Sequence, residues 1–217
     1  MVEGRRSVAE PPGIIADPTA RAERESLNAI RQAGLVEEIV LQHLDPERPF
    51  RLRPSTILTL NRVAMDGLSA YAGLWRPAGV VIADSPHVPV GAHLVPELIE
   101  DMCDYVNFNW DREAVHLAAY CMWRLGWIHP FTDGNGRTSR ALSYLVLSLR
   151  LGYLLPGTSG RTIPEQIVEN RTPYFQALEA ADDAWRNDVL DVSAMESLLE
   201  RMLAVQLRSV VGPADDA

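Results

Sequence analysis

The segment from Arg137 to Leu151 constrains the fold most strongly, because after its polar start it is almost entirely apolar up to Arg150. A helix that is apolar around most of its circumference must be buried on all sides. Apolar residues also recur at helical spacing in segments that begin near residues 17, 54, 95, 111, 164, 174 and 193. The sequence therefore predicts an all-α domain built around one central helix.

Residues 76–90 depart from this helical pattern. A β-branched run at Val80, Val81 and Ile82 is followed by turn residues and then by an arm that contains Pro89. This order predicts a short β-hairpin whose second arm is interrupted by proline. Since one hairpin cannot form a core by itself, we expect it to pack on the helices.

Composition excludes several kinds of chemistry. All 20 basic residues of the 217-residue chain are arginine, and the formal net charge is −9. Without lysine there is no Walker-type phosphate loop, no Schiff base and no kinase-type lysine. An acidic chain without a basic run is also a poor candidate for nucleic-acid binding.

The sequence gives no sign of a membrane or an oxidising compartment. The uncharged apolar stretch from Ala141 to Leu149 stops at Arg150, well short of the roughly 20 residues that a membrane span needs. The first residues lack the apolar core of a secretory signal. Cys103 and Cys121 both lie in apolar helical patterns, which favours buried thiols over a disulfide. We expect a cytoplasmic protein.

Residues 129–140 carry the chemistry. Gly134-Asn135-Gly136 directly precedes the central helix, where glycine allows close approach and the first N–H groups can bind an anion. Arg137 and Arg140 are three residues apart and so share a helix face. Asp133 could hold a divalent ion against phosphate oxygens, and His129 is a candidate general base. Each feature alone is common in structural roles, but together they indicate phosphoryl or nucleotidyl transfer.

This segment, His129-Pro130-Phe131-Thr132-Asp133-Gly134-Asn135-Gly136-Arg137-Thr138-Ser139-Arg140, resembles the signature H-x-F-x-D/E-G-N-G-R-x-x-R of the Fic family. Every defined position of the signature is present. Residues 76–90 fall where the family has its flap. The resemblance implies a Fic-type helical bundle with a hairpin flap, in which a lead-in (1–16) and an N-terminal helix (17–48) precede a Fic core (49–185) and a C-terminal helix with its tail (186–217).

The resemblance also implies an activity. Most Fic proteins transfer AMP from ATP to a Ser, Thr or Tyr hydroxyl of a target protein. By that analogy His129 is the general base, Asp133 coordinates Mg²⁺, and Phe131 anchors the loop. The nucleotide would be bound by Gly134, Asn135, Gly136, Arg137 and Arg140. The flap would dock the target by strand addition.

Regulation stays open at this stage. Many Fic proteins are inhibited by a helix with the pattern S/T-x-x-x-E-G/N. Thr19 to Glu23 has this spacing, but Arg24 follows where the pattern has Gly or Asn. Glu25 is a second candidate for the inhibitory carboxylate. Inhibition could instead come from an antitoxin-like partner chain or be absent, and a homo-oligomer is also open.

Other functions fit the same residues. Relatives of this kind also transfer UMP, phosphate or phosphocholine, and removal of AMP is an alternative if an inhibitory glutamate positions water. A further alternative is a non-catalytic module that binds a nucleotide or a target, although such a module has no use for the base His129. Such proteins are often bacterial toxins or delivered effectors.

Overall fold

The computed structural model describes residues 14–83, 85–155 and 161–211. Its regular elements are α-helices and one short 3₁₀ turn at Ala92–Leu94. The helices are α1 (Pro18–His43), α2 (Pro54–Met65), α3 (Val95–Phe108), α4 (Ala114–Ile128), α5 (Asn135–Leu151), α6 (Ile163–Glu169), α7 (Thr172–Trp185) and α8 (Ser193–Val211). None of the helices in the described ranges could cross a membrane. The predicted all-α class is confirmed.

Two helices form the centre of the molecule. The central helix α5 packs against α4, and the remaining helices divide between them. Helices α1, α2 and α6 pack on α5, whereas α3, α7 and α8 pack on α4. Both Cys103 and Cys121 are buried free thiols, as the apolar patterns predict. The loop that joins α4 to α5 therefore lies where the two groups of helices meet.

Helix α1 begins where the sequence predicts. The Asp17 carboxylate accepts a hydrogen bond of 2.7 Å from the amide of Ala20, and Pro18 occupies the first turn. In the C-terminal half of the helix, Val36 and Val40 are buried. Closer to the N-terminus than these valines, polar side chains attach α1 to α2 and the residue that follows it. Asn28 donates a hydrogen bond to the carbonyl of Asp66, and Gln32 donates one to the carbonyl of Leu60.

The predicted hairpin at residues 76–90 is not shown. In the described part of this segment the backbone is irregular, with bends, a turn, an isolated bridge at Ile82 and no strand. The buried guanidinium of Arg76 explains this, because it donates to the carbonyls of both Ala78 and Val90. One side chain thus joins the two ends of the segment. The described ranges do not include residues 1–13 of the predicted lead-in or residues 212–217 of the predicted C-terminal tail.

Candidate active site

His129 ends α4 in a left-handed conformation, with φ 52° and ψ 59°. Its amide donates to Leu125 at 3.0 Å, and its carbonyl accepts a hydrogen bond of 2.8 Å from Arg76 Nε. The backbone is therefore fixed on both sides of the turn. The imidazole lines a cavity of about 690 Å³ that also reaches the N-terminus of α5.

Burial sets the protonation state of His129. The pKa of the imidazole is lowered to about 4, mainly by desolvation. The hydrogen bond with Gly126 and the charge of Asp133 oppose this shift, whereas the charges of His87 and Arg76 add to it. Nδ1 lies 3.3 Å from the carbonyl of Gly126. If Nδ1 carries the proton, it donates a hydrogen bond to that carbonyl, and Nε2 is then the basic nitrogen. At neutral pH the ring is therefore a proton acceptor.

Asn135 shapes the loop from within. Its Oδ1 accepts from the amide of Phe131 at 2.9 Å, and its Nδ2 donates to the carbonyl of the same residue at 2.8 Å. We call this pair of bonds the Asn135 bracket. The Phe131 ring is buried against Trp75, with ring centroids 5.1 Å apart, as an anchor should be. With its side chain engaged inside the loop, the backbone N–H of Asn135 is the group best placed to bind an anion at the start of α5.

Gly134 is the one loop position that must lack a side chain. Its φ is 80°, and a Cβ there would lie 2.8 Å from Met65 and 2.9 Å from Asn61. Asn61 itself donates to the carbonyl of Asp133 and accepts from the amide of Gly73. The loop therefore sits directly on α2, and the first N–H groups of α5 are left at the cavity.

Four side chains form a closed ring of alternating charge, which we call the charge ring. Asp133 Oδ2 lies 3.4 Å from Arg21 Nη2 and 3.4 Å from Arg137 Nη2. Glu25 Oε1 lies 3.2 Å from Arg21 Nε and 3.8 Å from Arg137 Nη1. Helix α1 thus supplies one pair of opposite charges, and the loop with α5 supplies the complementary pair.

The two candidate inhibitory carboxylates lie in different places. Glu25 lines the cavity and belongs to the charge ring. Glu23 is exposed to solvent and is not among the cavity-lining residues. The structure therefore favours Glu25 over Glu23 as the carboxylate that faces the site.

Arg140 lies one helical turn beyond Arg137 and lines the same cavity. Burial lowers the pKa of its guanidinium, and the positive charges of Arg171 and Arg137 lower it further, while Tyr174 opposes them. The group nonetheless stays protonated at neutral pH, because an arginine is not deprotonated in proteins. All the residues predicted to bind the nucleotide therefore meet at one cavity.

Sequence reasoning missed the opposite wall of the cavity. Helix α7 contributes Tyr174, Phe175, Leu178 and Asp182 to it, and Arg171, the residue before this helix, also lines it. The apolar and aromatic members suit a flat organic ligand such as a nucleobase. These residues follow no short motif, and only the packing of α7 on α4 brings them to the site.

His87 closes one side of the cavity. Its Nε2 lies 2.7 Å from the carbonyl of Trp127, and its Nδ1 lies 3.7 Å from a carboxylate oxygen of Asp182. The other oxygen of Asp182 accepts from Trp123 Nε1 at 2.8 Å. His87 therefore holds residues 76–90 against α4 and α7.

The donors at the cavity fit a magnesium ion that is bound mainly by its substrate. Within the described ranges, no group of three or more His, Cys, Asp or Glu side chains gathers around one point. Magnesium is commonly held by one or two carboxylates together with phosphate oxygens. Asp133, beside the N-terminus of α5, offers one such carboxylate.

Comparison with known proteins identifies the domain. Residues 51–147 match the model of the Fic/DOC family. The chain carries a Fic domain. The protein adenylyltransferase fic-1 of Caenorhabditis briggsae is 34% identical over 99 residues, which are 43% of this chain and 17% of that protein. The protein adenylyltransferase Fic of Nematostella vectensis is 39% identical over 120 residues, or 51% of this chain and 24% of its own. This chain thus spans about a quarter or less of either relative.

Solved structures show the same fold. A fragment of Fic-1 from C. elegans superposes with a TM-score of 0.67 at 24% identity, covering 91% of this chain and 53% of its own. A Fic-domain signalling protein from Bacteroides thetaiotaomicron superposes with a TM-score of 0.68 at 22% identity, covering 93% and 78%. Almost the whole described chain, and not the matched residues alone, therefore has a Fic-type arrangement of helices.

Proposed function

We propose that this chain transfers AMP from ATP to a hydroxyl side chain of a target protein. The observation that carries the proposal is the placement of a neutral imidazole, His129, in the same cavity as the N-terminus of α5 and the guanidinium groups of Arg137 and Arg140. The adenylyltransferases named above support the same reaction class.

In this reaction His129 accepts the proton of the target hydroxyl. The hydroxyl oxygen then bonds to the α-phosphorus, the bond to the bridging oxygen breaks, and pyrophosphate leaves. General base catalysis of this kind contributes roughly 10²–10⁴-fold. Because the imidazole is held neutral by burial, it needs no prior deprotonation at neutral pH.

The remaining loop residues bind and orient the polyphosphate. The N–H groups of Asn135 and Gly136 at the start of α5 favour an anion, whereas that of Gly134 donates to the Asp133 carboxylate and holds the loop turn. Arg137 and Arg140 supply positive charge. When bound, Mg²⁺ would be held by Asp133 and would neutralise phosphate charge. With a net charge of −9, the chain otherwise repels ATP, so these local cations must capture it.

Residues 76–90 are the proposed docking site for the target backbone. Ile82, Ser85 and His87 line the cavity, while Val81 and Val88 are 66% and 82% exposed. A segment beside a cavity that is not already paired in a sheet can add a strand from a partner, and this pairing would complete the hairpin that the sequence predicts. The target hydroxyl would then be held near His129.

Helix α1 is the proposed restraint on this activity. Glu25 occupies Arg137, and Arg21 occupies Asp133, so both loop charges are engaged by α1 before any ligand binds. This arrangement supports inhibition from within the chain over inhibition by a separate antitoxin-like partner.

Intact-mass spectrometry tests the proposal. The purified chain is incubated with ATP and Mg²⁺, with and without cell lysate as a source of targets, beside His129→Ala. We expect a gain of one AMP unit on the chain or on a target with wild type only, while His129→Ala still binds ATP within a few-fold. A phosphate-sized gain would indicate a kinase-like reaction. Nucleotide binding without any transfer, also for Glu25→Gln, would favour a binding module.

The pH dependence gives a second test of His129. Because the imidazole accepts a proton only while it is neutral, the rate is retained above its pKa of about 4 and lost as the pH falls through that value. We expect single-turnover transfer at saturating ATP to show no acid limb near pH 6.5, the ordinary value for histidine. An acid limb centred near pH 6.5 would contradict the burial of the base.

A further inference from the structure

Arg171 brings a third guanidinium to the cavity, and the Fic signature does not include it. It directly precedes α7, far along the chain from the loop between α4 and α5. It lines the same cavity as Arg140, and its positive charge lowers the pKa of Arg140. The first part of α5 and the residue before α7 thus bring two like charges to the same cavity.

Neither of these two arginines is paired with a carboxylate in the described ranges, whereas Arg137 forms two ion pairs. The acidic side chains that line the cavity are already engaged. Glu25 and Asp133 belong to the charge ring, and Asp182 is bonded by Trp123 and faces His87. The positive charge of Arg140 and Arg171 is therefore left for a ligand to balance.

The chemistry of the missing anion follows from the donors. Guanidinium groups bind phosphate oxygens in a bidentate manner, and two adjacent ones favour an anion with more than one charged group. We propose that Arg171 binds the polyphosphate end of the nucleotide together with Arg140, and so makes the site prefer ATP to AMP. This inference rests on the proposed function, because it takes ATP as the ligand.

Isothermal titration of ATP and of AMP, both with Mg²⁺, tests this role. The variants are Arg171→Gln, Arg171→Lys and the matched control Arg186→Gln, which removes an exposed arginine of the same region that pairs with Asp183. Loss of a hydrogen bond between charged groups predicts that Arg171→Gln weakens ATP binding by roughly tenfold or more. AMP binding should change by less than about twofold on the same reasoning, since AMP lacks the outer phosphates.

The two other variants sharpen the result. Arg171→Lys keeps the charge but loses the planar fork, so we expect an intermediate affinity for ATP. Arg186→Gln should match wild type. Circular dichroism and thermal unfolding check that each variant is folded, and Arg171→Met replaces Arg171→Gln if the glutamine variant is not.

Several outcomes would overturn the inference. Unchanged ATP affinity in a folded Arg171→Gln variant would do so, and so would equal losses for ATP and AMP, which would mean that Arg171 only shapes the cavity. Wild type that binds neither nucleotide would defeat the proposed function and this inference together. Selective loss of ATP binding in a chain that transfers no AMP would support Arg171 as a polyphosphate ligand while the proposed function fails.

Discussion

The loop at residues 129–136 and the segment at residues 76–90 border the same cavity but are held in place in different ways. The loop is fixed mainly by short-range contacts, such as the Asn135 bracket to Phe131 and the bond from the amide of Gly134 to the Asp133 carboxylate. The segment is held at its two ends by one buried side chain, that of Arg76, and near its far end by His87.

The difference shows where rigidity is needed. The loop carries the groups that are proposed to contact the reacting atoms, and small displacements of such groups are costly for catalysis. The segment carries the proposed target-docking backbone, and fixing only its ends leaves its middle available for a partner. Arg76 connects the two regions, because it also donates to the carbonyl of His129.

The substitution expected to disrupt the loop most is Asn135→Ala. It leaves a buried amide and carbonyl of Phe131 without partners, which should lower the free energy of unfolding by about 2–3 kcal/mol. We expect the transfer rate to fall roughly 100-fold because the loop shifts against His129. Urea unfolding and initial rates measure the two effects.

Asn107→Ala is the matched control for this change. Asn107 brackets Leu52 in the same manner, with bonds of 2.8 Å and 2.9 Å, but far from the cavity. It should cost similar stability and leave the transfer rate unchanged. Equal rate losses in the two variants would show that the loss at Asn135 reflects stability alone.

A smaller effect on the transfer rate is expected from Arg76→Met, which releases the ends of residues 76–90. Its guanidinium is buried and donates to several carbonyls, so we expect a loss of about 2–4 kcal/mol in unfolding free energy. Limited proteolysis should cut within 76–90 faster than in wild type, and the transfer rate should fall roughly tenfold. Arg124→Met, which removes a buried arginine packed against Trp127 and Trp185, should destabilise the chain without this faster cut. If it accelerates the same cut, Arg76 does not act locally.

The smallest effect concerns α1. Glu25→Gln removes one member of the charge ring, and since these partly exposed ion pairs are each worth about 0–1 kcal/mol, the transfer rate at limiting ATP should rise only a few-fold. Glu23→Gln changes an exposed carboxylate on the same helix and should leave the rate unchanged. If the transfer rate rises with Glu23→Gln and not with Glu25→Gln, Glu23 is the inhibitory residue, as the sequence pattern predicts.

The sequence predicts the loop well because its determinants are close together in the chain. Helix periodicity locates α5, and glycine next to it indicates the turn at Gly134, so the cavity-facing residues of 129–140 follow from spacing alone. The wall on α7 and the bonds of Asn61 could not be predicted in this way, because they depend on how distant helices pack. The hairpin prediction at 76–90 rested on local β-propensity, and the long-range bonds of Arg76 outweighed that propensity.

The charge ring has a consequence for the order in which ligands can enter. Each arginine of the ring contacts both carboxylates, and each carboxylate contacts both arginines. A ligand with charge of only one sign can therefore replace only one of the two α1 side chains at the site. A metal ion alone could replace Arg21 but not Glu25, and a metal-free polyphosphate could replace Glu25 but not Arg21. A ligand that carries positive and negative charge next to each other, as a metal–polyphosphate complex does, can replace both Arg21 and Glu25. We therefore expect a metal–polyphosphate complex to displace α1 from the site more readily than either component does alone.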